Sequence, residues 1–212
     1  IKGIRMSDKK AHIAVLVSGG GTNLQALIDA EKNGVIKSGT ISLVISNKQS
    51  AYALTRAKNA GIATKVITRK EAGSQEAFEA ALIKELDEGG TDLIVLAGFM
   101  SILSENFTSH FRNRIINIHP SLIPSFCGKG FYGLKVHEAA LEKGVKVTGA
   151  TVHFVNEIPD GGKIIMQKAV DVLPGDTPET LQKRVMEQAE WKLLPQAAEK
   201  VCNDILTGNT ED

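Results

Sequence analysis

Short β-branched runs alternate with longer helical patterns from residue 12 onward, and this alternation constrains the fold more than any other feature. Residues 13–17 and 41–45 are almost entirely apolar, as in strands that are buried on both faces. Such alternation predicts a parallel sheet with right-handed crossovers, helices on both faces, and ligands at the carboxyl ends of the strands. The same criteria predict further strands at 65–67, 93–97 and 115–118, and helices over about 51–60 and 74–88.

The first helical pattern follows the first strand directly. Its apolar residues Leu24, Leu27 and Ile28 are spaced as on one face of a helix. Thr22 or Asn23 is the expected N-cap, because short polar side chains satisfy the free N–H groups at a helix start.

The second half of the chain predicts a different order of strands and helices. A glycine-rich loop at 127–133 precedes a short helix and two strands, 146–155 and 163–172, whose short connection predicts an antiparallel pair. Pro178 then opens a last helix that is expected to run to about Val201. The predicted fold is therefore an α/β, Rossmann-like, mostly parallel twisted sheet with helices on both faces, C-terminal antiparallel strands and a long final helix.

Composition excludes several classes of function. The 212 residues carry 25 basic and 24 acidic side chains, so a large basic surface for nucleic acid or an anionic membrane is not expected. No apolar run reaches the roughly 18 residues of a membrane span, and residues 1–10 lack the apolar centre of a signal peptide. Cys127 and Cys202 have no C-x-x-C or metal-ligand spacing, which favours a reducing compartment, the cytoplasm. Since the first methionine is Met6, residues 1–5 are predicted to be a remnant of recombinant expression.

A glycine-rich loop at residues 18–23, Ser-Gly-Gly-Gly-Thr-Asn, joins the first strand to the first helix. Backbone N–H groups and the helix dipole favour an anion there. A dinucleotide fingerprint is not matched, because Leu24 replaces the third glycine and the second strand is not followed by an acidic residue. A triphosphate loop would need Gly-Lys-Ser/Thr, which is missing. A monophosphate site and a tight turn without a ligand both remain open.

Asn117 and His119 follow a buried strand, and the two-residue period of a strand directs both side chains to the same side. An amide and an imidazolium side by side would supply two donors to a developing oxyanion, as acyl transfer requires. Asp160 lies in the turn at 157–162, between the two later strands, and a nearby carboxylate would raise the pKa of His119. From spacing alone, however, Asp160 is more simply an ordinary turn residue before two glycines.

Other candidates for chemistry are weaker. His153, in an apolar strand, has the pattern of a hydrogen-bonded core histidine, and the histidines have no metal-ligand spacing, so no metal is expected. Cys127 could act as a nucleophile, but the sequence names no group that would activate it. Direct transfer without a covalent intermediate is therefore favoured.

Five motifs in this order resemble the phosphoribosylglycinamide formyltransferases, folate-dependent enzymes of purine synthesis. They are Ser-Gly-Gly-Gly-Thr-Asn-Leu-Gln-Ala at 18–26, Ala-Gly-Phe-Met-Ser-Ile-Leu at 97–103, Asn-Ile-His-Pro-Ser-Leu-Ile-Pro at 117–124, Gly-Ala-Thr-Val-His-Phe-Val at 149–155 and Asp-Gly-Gly at 160–162. The resemblance runs from about His12 to Val201. It implies transfer of a formyl group from 10-formyltetrahydrofolate to the amine of glycinamide ribonucleotide, and it favours a catalytic role for Asp160.

The resemblance also implies a role for each matched residue. Asn117, His119 and Asp160 would be catalytic, and Pro120 and Glu190 would lie near the glycinamide and the ribose. The phosphate would be held by Gly21, Thr22 and Asn23. The folate would be bound by Gln75, Phe99, Met100, Ser101, Ile102, Leu103, Asn117, Val155, Asn156 and Glu157.

Two of these residues depart from the family pattern, because Ser101 and Gln75 stand where some relatives carry arginines near the folate. Residues 12–202 are expected to form one formyltransferase domain, as a monomer or homodimer. Its half 12–115 would bind the nucleotide phosphate, and its half 116–202 would bind folate and carry the catalytic residues.

Three alternatives stay open. A methionyl-tRNA formyltransferase shares the Asn-x-His and Ser-Leu-x-Pro pattern, but it would carry an added tRNA-binding domain. A formyltetrahydrofolate hydrolase would use a similar triad to release formate, typically with an N-terminal regulatory domain. A phosphosugar-binding module without catalysis would explain residues 19–23, but not Asn117, His119 and Asp160 together.

Overall fold

The computed structural model describes residues 9–209, which divide into two compact units. The first unit comprises the residues up to Phe99 together with those from Ala198 onward, and the second runs from Met100 to Ala197. The proposed expression remnant at 1–5 lies outside the described residues. No helix within residues 9–209 combines the length and the apolar character needed to cross a membrane.

The first unit has four parallel strands in the order β3-β2-β1-β4, with helices between them. Residues 13–17 of β1 are fully buried, as their apolar character predicts. The strands are β1 (Ala11–Val17), β2 (Gly39–Ser46), β3 (Ala63–Val66) and β4 (Leu93–Leu96). The helices are α1 (Thr22–Lys32), α2 (Tyr52–Asn59), α3 (Arg69–Ala72) and α4 (Gln75–Glu88).

The start of α1 differs from the prediction. Its N-cap is Gly21, at φ 74°, and no side chain caps the helix. The expected caps Thr22 and Asn23 are instead its first two residues. Glycine adopts a left-handed φ readily. Because glycine has no side chain, it cannot accept a hydrogen bond from the first backbone amides of the helix, as a capping side chain would.

The second unit has antiparallel strands in the order β5-β6-β7, which confirms the predicted C-terminal pair. They are β5 (Ile115–His119), β6 (Val147–Phe154) and β7 (Ile164–Asp171). The helices are α5 (Glu105–His110), α6 (Leu134–Lys143) and α7 (Pro178–Val185), and α8 (Trp191–Thr207) continues beyond the unit. The predicted fold class is confirmed, since parallel strands with intervening helices precede antiparallel strands and a long last helix.

The predicted last helix is present and extends to Thr207, but it contains one irregularity. Five residues, Met186–Glu190, form a π-helical turn between α7 and α8. The helix starts with a capping box at Thr177, and the proline lies in its first turn as predicted. Single π-turns inside helices are often found at functional sites.

Candidate active site

The antiparallel register of β5 and β6 places Asn117 directly opposite His153. Their side chains meet, with the Asn117 amide nitrogen 3.3 Å from Nε2 of His153. Nδ1 of His153 lies 2.8 Å from the Phe154 carbonyl, which can only accept a hydrogen bond. In the tautomer protonated at Nδ1, Nε2 accepts from the amide; when Nε2 also carries a proton, it can instead donate to Oδ1 of Asp160, 3.5 Å away. His153 thereby fixes the orientation of Asn117.

His119 is buried between two acceptors. Its Nδ1 lies 3.4 Å from Oδ2 of Asp160, and its Nε2 lies 2.8 Å from the Phe126 carbonyl. A neutral imidazole has one N–H and satisfies only one of these oxygens, whereas an imidazolium satisfies both.

Burial nevertheless lowers the pKa of His119 below its ordinary value, and the Asp160 carboxylate and the Phe126 carbonyl offset that effect only in part. The expected upward influence of Asp160 is present, but burial outweighs it.

Asp160 is held from several sides. Oδ2 accepts from the Gly128 backbone N–H at 2.8 Å, and Oδ1 lies 3.5 Å from Nε2 of His153. Burial acts to raise the pKa of Asp160, but its contacts with His153, His119 and the Gly128 amide outweigh it and lower the pKa. Asp160 adopts a left-handed φ of 56°, which is uncommon for a residue other than glycine. The carboxylate is therefore ionised and closely positioned.

A further histidine in this unit lacks polar contacts. His137, on α6, is fully buried, and neither of its ring nitrogens has a hydrogen-bond partner among residues 9–209. Burial, together with the charge of a protonated His119, lowers the pKa of His137 to about 4. His137 is accordingly neutral near pH 7.

Cys127 is not a candidate nucleophile in this geometry. Its thiol lies 3.3 Å from the Pro124 carbonyl, to which it donates. Burial and the Asp160 carboxylate raise its pKa. The reactive thiolate is therefore disfavoured.

The predicted phosphate residues start α1 in the first unit. Thr22 is exposed, and Gly21 and Asn23 are half-buried. Gly21 packs tightly against α2, because a Cβ atom built on it would lie 2.6 Å from Cβ of Ala53. Glycine is thus required here both for its φ and for close packing.

The predicted folate residues fall into separate groups. A cavity of about 410 Å³ in the second unit includes Val155, Asn156 and Glu157 in its lining. Residues 100–103 do not line it; Met100 and Ile102 are exposed, whereas Leu103 is buried. Asn117 belongs to the cluster with His119 and Asp160, while Gln75 and Phe99 lie in the first unit. Besides Val155, Asn156 and Glu157, the cavity in the second unit is lined by Glu105, Thr108, Ser109, Arg112, Asn113, Phe154, Gly162 and Lys163.

The predicted substrate residues occupy two different settings. Pro120 is half-buried directly after β5, and Glu190 is buried at the end of the π-turn. Sequence reasoning missed His153 as a member of the polar cluster. Its position opposite Asn117 depends on strand register, although the motif at 149–155 contains it.

Comparison with known proteins agrees with the fold described above. The model of the formyl transferase family matches residues 11–198, so the chain belongs to the formyl transferase family. Within that family its relatives include phosphoribosylglycinamide formyltransferase of Escherichia coli (strain K12), 47% identical over 177 residues, covering 84% of this chain and 81% of the relative. The predicted family resemblance is confirmed.

Solved structures and longer relatives give the same result. Glycinamide ribonucleotide transformylase 1 from Symbiobacterium toebii has a TM-score of 0.87 and 42% identity, covering 95% of this chain and 92% of that one. The trifunctional purine biosynthetic protein adenosine-3 of Bos taurus is 48% identical over 198 residues, which are 93% of this chain. The chain spans only about a fifth of the length of such trifunctional relatives (19% for the bovine protein).

Proposed function

We propose that the protein transfers the formyl group of 10-formyltetrahydrofolate to the amine of glycinamide ribonucleotide, a step of purine biosynthesis. The observation that carries this proposal is the polar cluster at the end of β5, where Asp160 contacts buried His119 and His153 joins Asp160 to Asn117. The names of the relatives support the choice of substrates. Residues 12–202 would act as one formyltransferase domain. We place the activity in the cytoplasm, where free thiols such as Cys127 and Cys202 remain reduced.

The reaction begins with attack of the substrate amine on the formyl carbon. A carbon–nitrogen bond forms, and the carbonyl electron pair moves onto oxygen to give a tetrahedral oxyanion. Collapse restores the carbonyl and breaks the bond to the folate nitrogen, which receives a proton that originates from the amine. The protein has to stabilise the oxyanion and assist the proton transfer.

Asn117 supplies one donor to the oxyanion. Because one N–H of its amide is directed to His153, the other is available to the reacting oxygen. His119 supplies the second. Its Nε2–H donates to the Phe126 carbonyl, so the formyl oxygen must displace that carbonyl to accept from this atom.

The charge of His119 is the chemically decisive variable. Burial favours the neutral ring before reaction, whereas an oxyanion next to it would favour the imidazolium, as Asp160 already does. Asp160 therefore lets His119 carry charge when the tetrahedral oxyanion forms. It also provides a fixed carboxylate to order a water that relays the proton.

The phosphate of the ribonucleotide would bind to the first unit. We assign the phosphate to Gly21, Thr22 and Asn23, where the uncapped start of α1 presents backbone amides and the positive end of the helix dipole. Glu190 would bind the ribose side of the substrate; it is a buried carboxylate at the end of the π-turn, on a segment whose other buried residues are apolar. Pro120 would border the glycinamide.

The folate would use the cavity in the second unit. Its volume of about 410 Å³ lies within the usual range of small-molecule sites, about 300–1,000 Å³. Val155, Asn156 and Glu157 line it and are among the residues assigned to folate. The remaining folate assignments are Gln75, Phe99, Met100, Ser101, Ile102, Leu103 and Asn117.

Ultraviolet absorbance during incubation with 10-formyltetrahydrofolate tests the proposal. The folate should be consumed when glycinamide ribonucleotide is present and remain intact when it is omitted. Equal consumption with water alone would reassign the protein as a hydrolase. No consumption in either case would leave a binding protein without this activity.

A further inference from the structure

We propose that Arg56, on α2, is a positioning residue that aims the backbone amides of the loop at 18–23 toward the substrate phosphate. The inference rests on the function proposed above. Nε of Arg56 donates to the Gly20 carbonyl at 2.8 Å, so the guanidinium holds the loop backbone itself. Because Arg56 contacts a carbonyl oxygen of the loop, its proposed effect on the phosphate acts through the loop backbone, and we call it a positioning residue.

A second bond of the same kind lies next to it. The backbone N–H of Ala53, also on α2, donates to the Gly19 carbonyl at 3.0 Å. Two consecutive carbonyls of the loop therefore face α2. In a trans peptide the C=O and the following N–H point in opposite directions. The amides of Gly20 and Gly21 are consequently turned away from α2, which is the arrangement of a backbone anion nest.

Arg56 is itself fixed in place. Its Nη1 donates to Oε1 of Gln25 at 3.2 Å, and its guanidinium lies over the Tyr52 ring, 5.1 Å from the ring centroid. Gln25 is oriented in turn by donating to Asp29 at 2.9 Å. A side chain already held on three sides loses little further freedom when a ligand binds, so the loop is preorganised.

The geometry selects arginine over lysine. Nε and Nη1 contact two different acceptors at once, the Gly20 carbonyl and Gln25, from one rigid plane. A lysine ammonium keeps the charge but is a single point without that planar fork. Comparing the two side chains therefore separates the orienting effect from the charge.

The test compares Arg56→Gln, Arg56→Lys and the control Lys58→Gln, which removes a positive charge from an exposed position of the same helix. Steady-state kinetics give kcat and the KM of each substrate. Inhibition by ribose 5-phosphate reports on the phosphate site, and thermal unfolding reports on stability. Arg56→Gln should raise the ribonucleotide KM and the ribose 5-phosphate inhibition constant about tenfold, the usual effect of losing one hydrogen bond from a charged donor.

The same variant should leave the folate KM and the kcat at saturation unchanged. Arg56→Lys should fall between Arg56→Gln and the unmodified enzyme, and Lys58→Gln should match the unmodified enzyme. Full activity of Arg56→Lys would show that only charge matters and would overturn the positioning role. An unchanged ribonucleotide KM in Arg56→Gln would also overturn the positioning role. The same would follow if kcat, both KM values and the thermal stability of Arg56→Gln were all impaired to a similar extent. An unmodified enzyme that neither uses glycinamide ribonucleotide nor binds ribose 5-phosphate would instead refute the proposed function.

Discussion

His153 faces Asn117 across the β5–β6 pair, and its Nε2 lies 3.3 Å from the Asn117 amide nitrogen. A histidine that sequence alone classes as core is thus the direct neighbour of a proposed oxyanion donor. Because the amide has only two N–H groups, the one directed to His153 determines where the other points.

Replacing His153 with Phe should therefore lower kcat about tenfold, since a lost orienting hydrogen bond costs about 1–1.5 kcal/mol. The ribonucleotide KM should change little. His153→Gln, which can still accept from the amide, should recover part of the loss. Steady-state kinetics at saturating substrates measure both variants, and a wild-type kcat in His153→Phe would exclude the orienting role.

Asp160→Asn should lower turnover and move the alkaline fall in rate to lower pH. The carboxylate acts to raise the pKa of His119, so its removal makes the imidazolium harder to retain. Asparagine also tolerates the left-handed φ of 56°, which avoids a change in backbone shape. A pH–rate profile that superimposes on that of the unmodified enzyme, at similar turnover, would remove Asp160 from the mechanism.

Asn117→Ala should lower kcat by roughly 100-fold or more, as removal of an oxyanion donor does, without moving the midpoint of the pH profile. An amide does not titrate in this range. The double change Asn117→Ala with His119→Ala should cost less than the sum of the single losses, because both groups act on one oxyanion. Strict additivity in a double-mutant cycle would argue that they act separately.

His137 should make the fold sensitive to mild acid. Its pKa of about 4 in the folded state lies below its ordinary value of 6.5, so the unfolded chain binds more protons between these pH values. The free energy of unfolding should be unaffected by this group above pH 6.5, and it should decline by about 3 kcal/mol as the pH falls to 4. Urea unfolding at several pH values should show a weaker dependence for His137→Leu. An identical dependence in that variant would place the acid sensitivity elsewhere.

Gly21→Ala should destabilise the first unit, whereas Gly20→Ala should not. Gly21 has a φ of 74°, and an added Cβ would lie 2.6 Å from Cβ of Ala53, while nothing lies within 4 Å of a Cβ on Gly20. The left-handed backbone alone costs roughly 1–2 kcal/mol for a residue other than glycine. Urea unfolding of both variants measures the difference, and equal stabilities would contradict the observed close packing.

Elements with a clear hydrophobic period could be predicted from sequence, and short ones could not. The buried strand β1 was recognised because nearly all its residues are apolar, and only its first residues were missed. The helices α3 and α5 have four and six residues, too few to display a helical period. Their formation depends instead on local capping by Thr68 and Ser104.

Some groups of the candidate site could likewise be predicted from the sequence, and others could not. The two-residue strand period is local, so Asn117 and His119 could be paired from sequence. Asp160 could be assigned only from the family resemblance, because it lies far from His119 in the sequence. The Phe126 carbonyl and the Gly128 amide could not be predicted, since backbone groups carry no residue-type signal.

The π-turn did leave a signal in the sequence. Buried residues recur at every fourth position in the last helical segment, namely Leu181, Val185, Ala189, Leu193, Ala197 and Val201. Each four-residue step exceeds one α-helical turn by about 40°, so a straight regular helix would carry the row progressively off its buried side. A wider turn within the row compensates for part of that drift.

This turn also determines where the chain can change its length during evolution. A π-turn holds one residue more than the α-helix it interrupts, so losing one residue between Met186 and Glu190 would leave a continuous helix. Insertions and deletions are ordinarily tolerated in surface loops rather than within helices. Homologues one residue shorter at this point should therefore keep the helix.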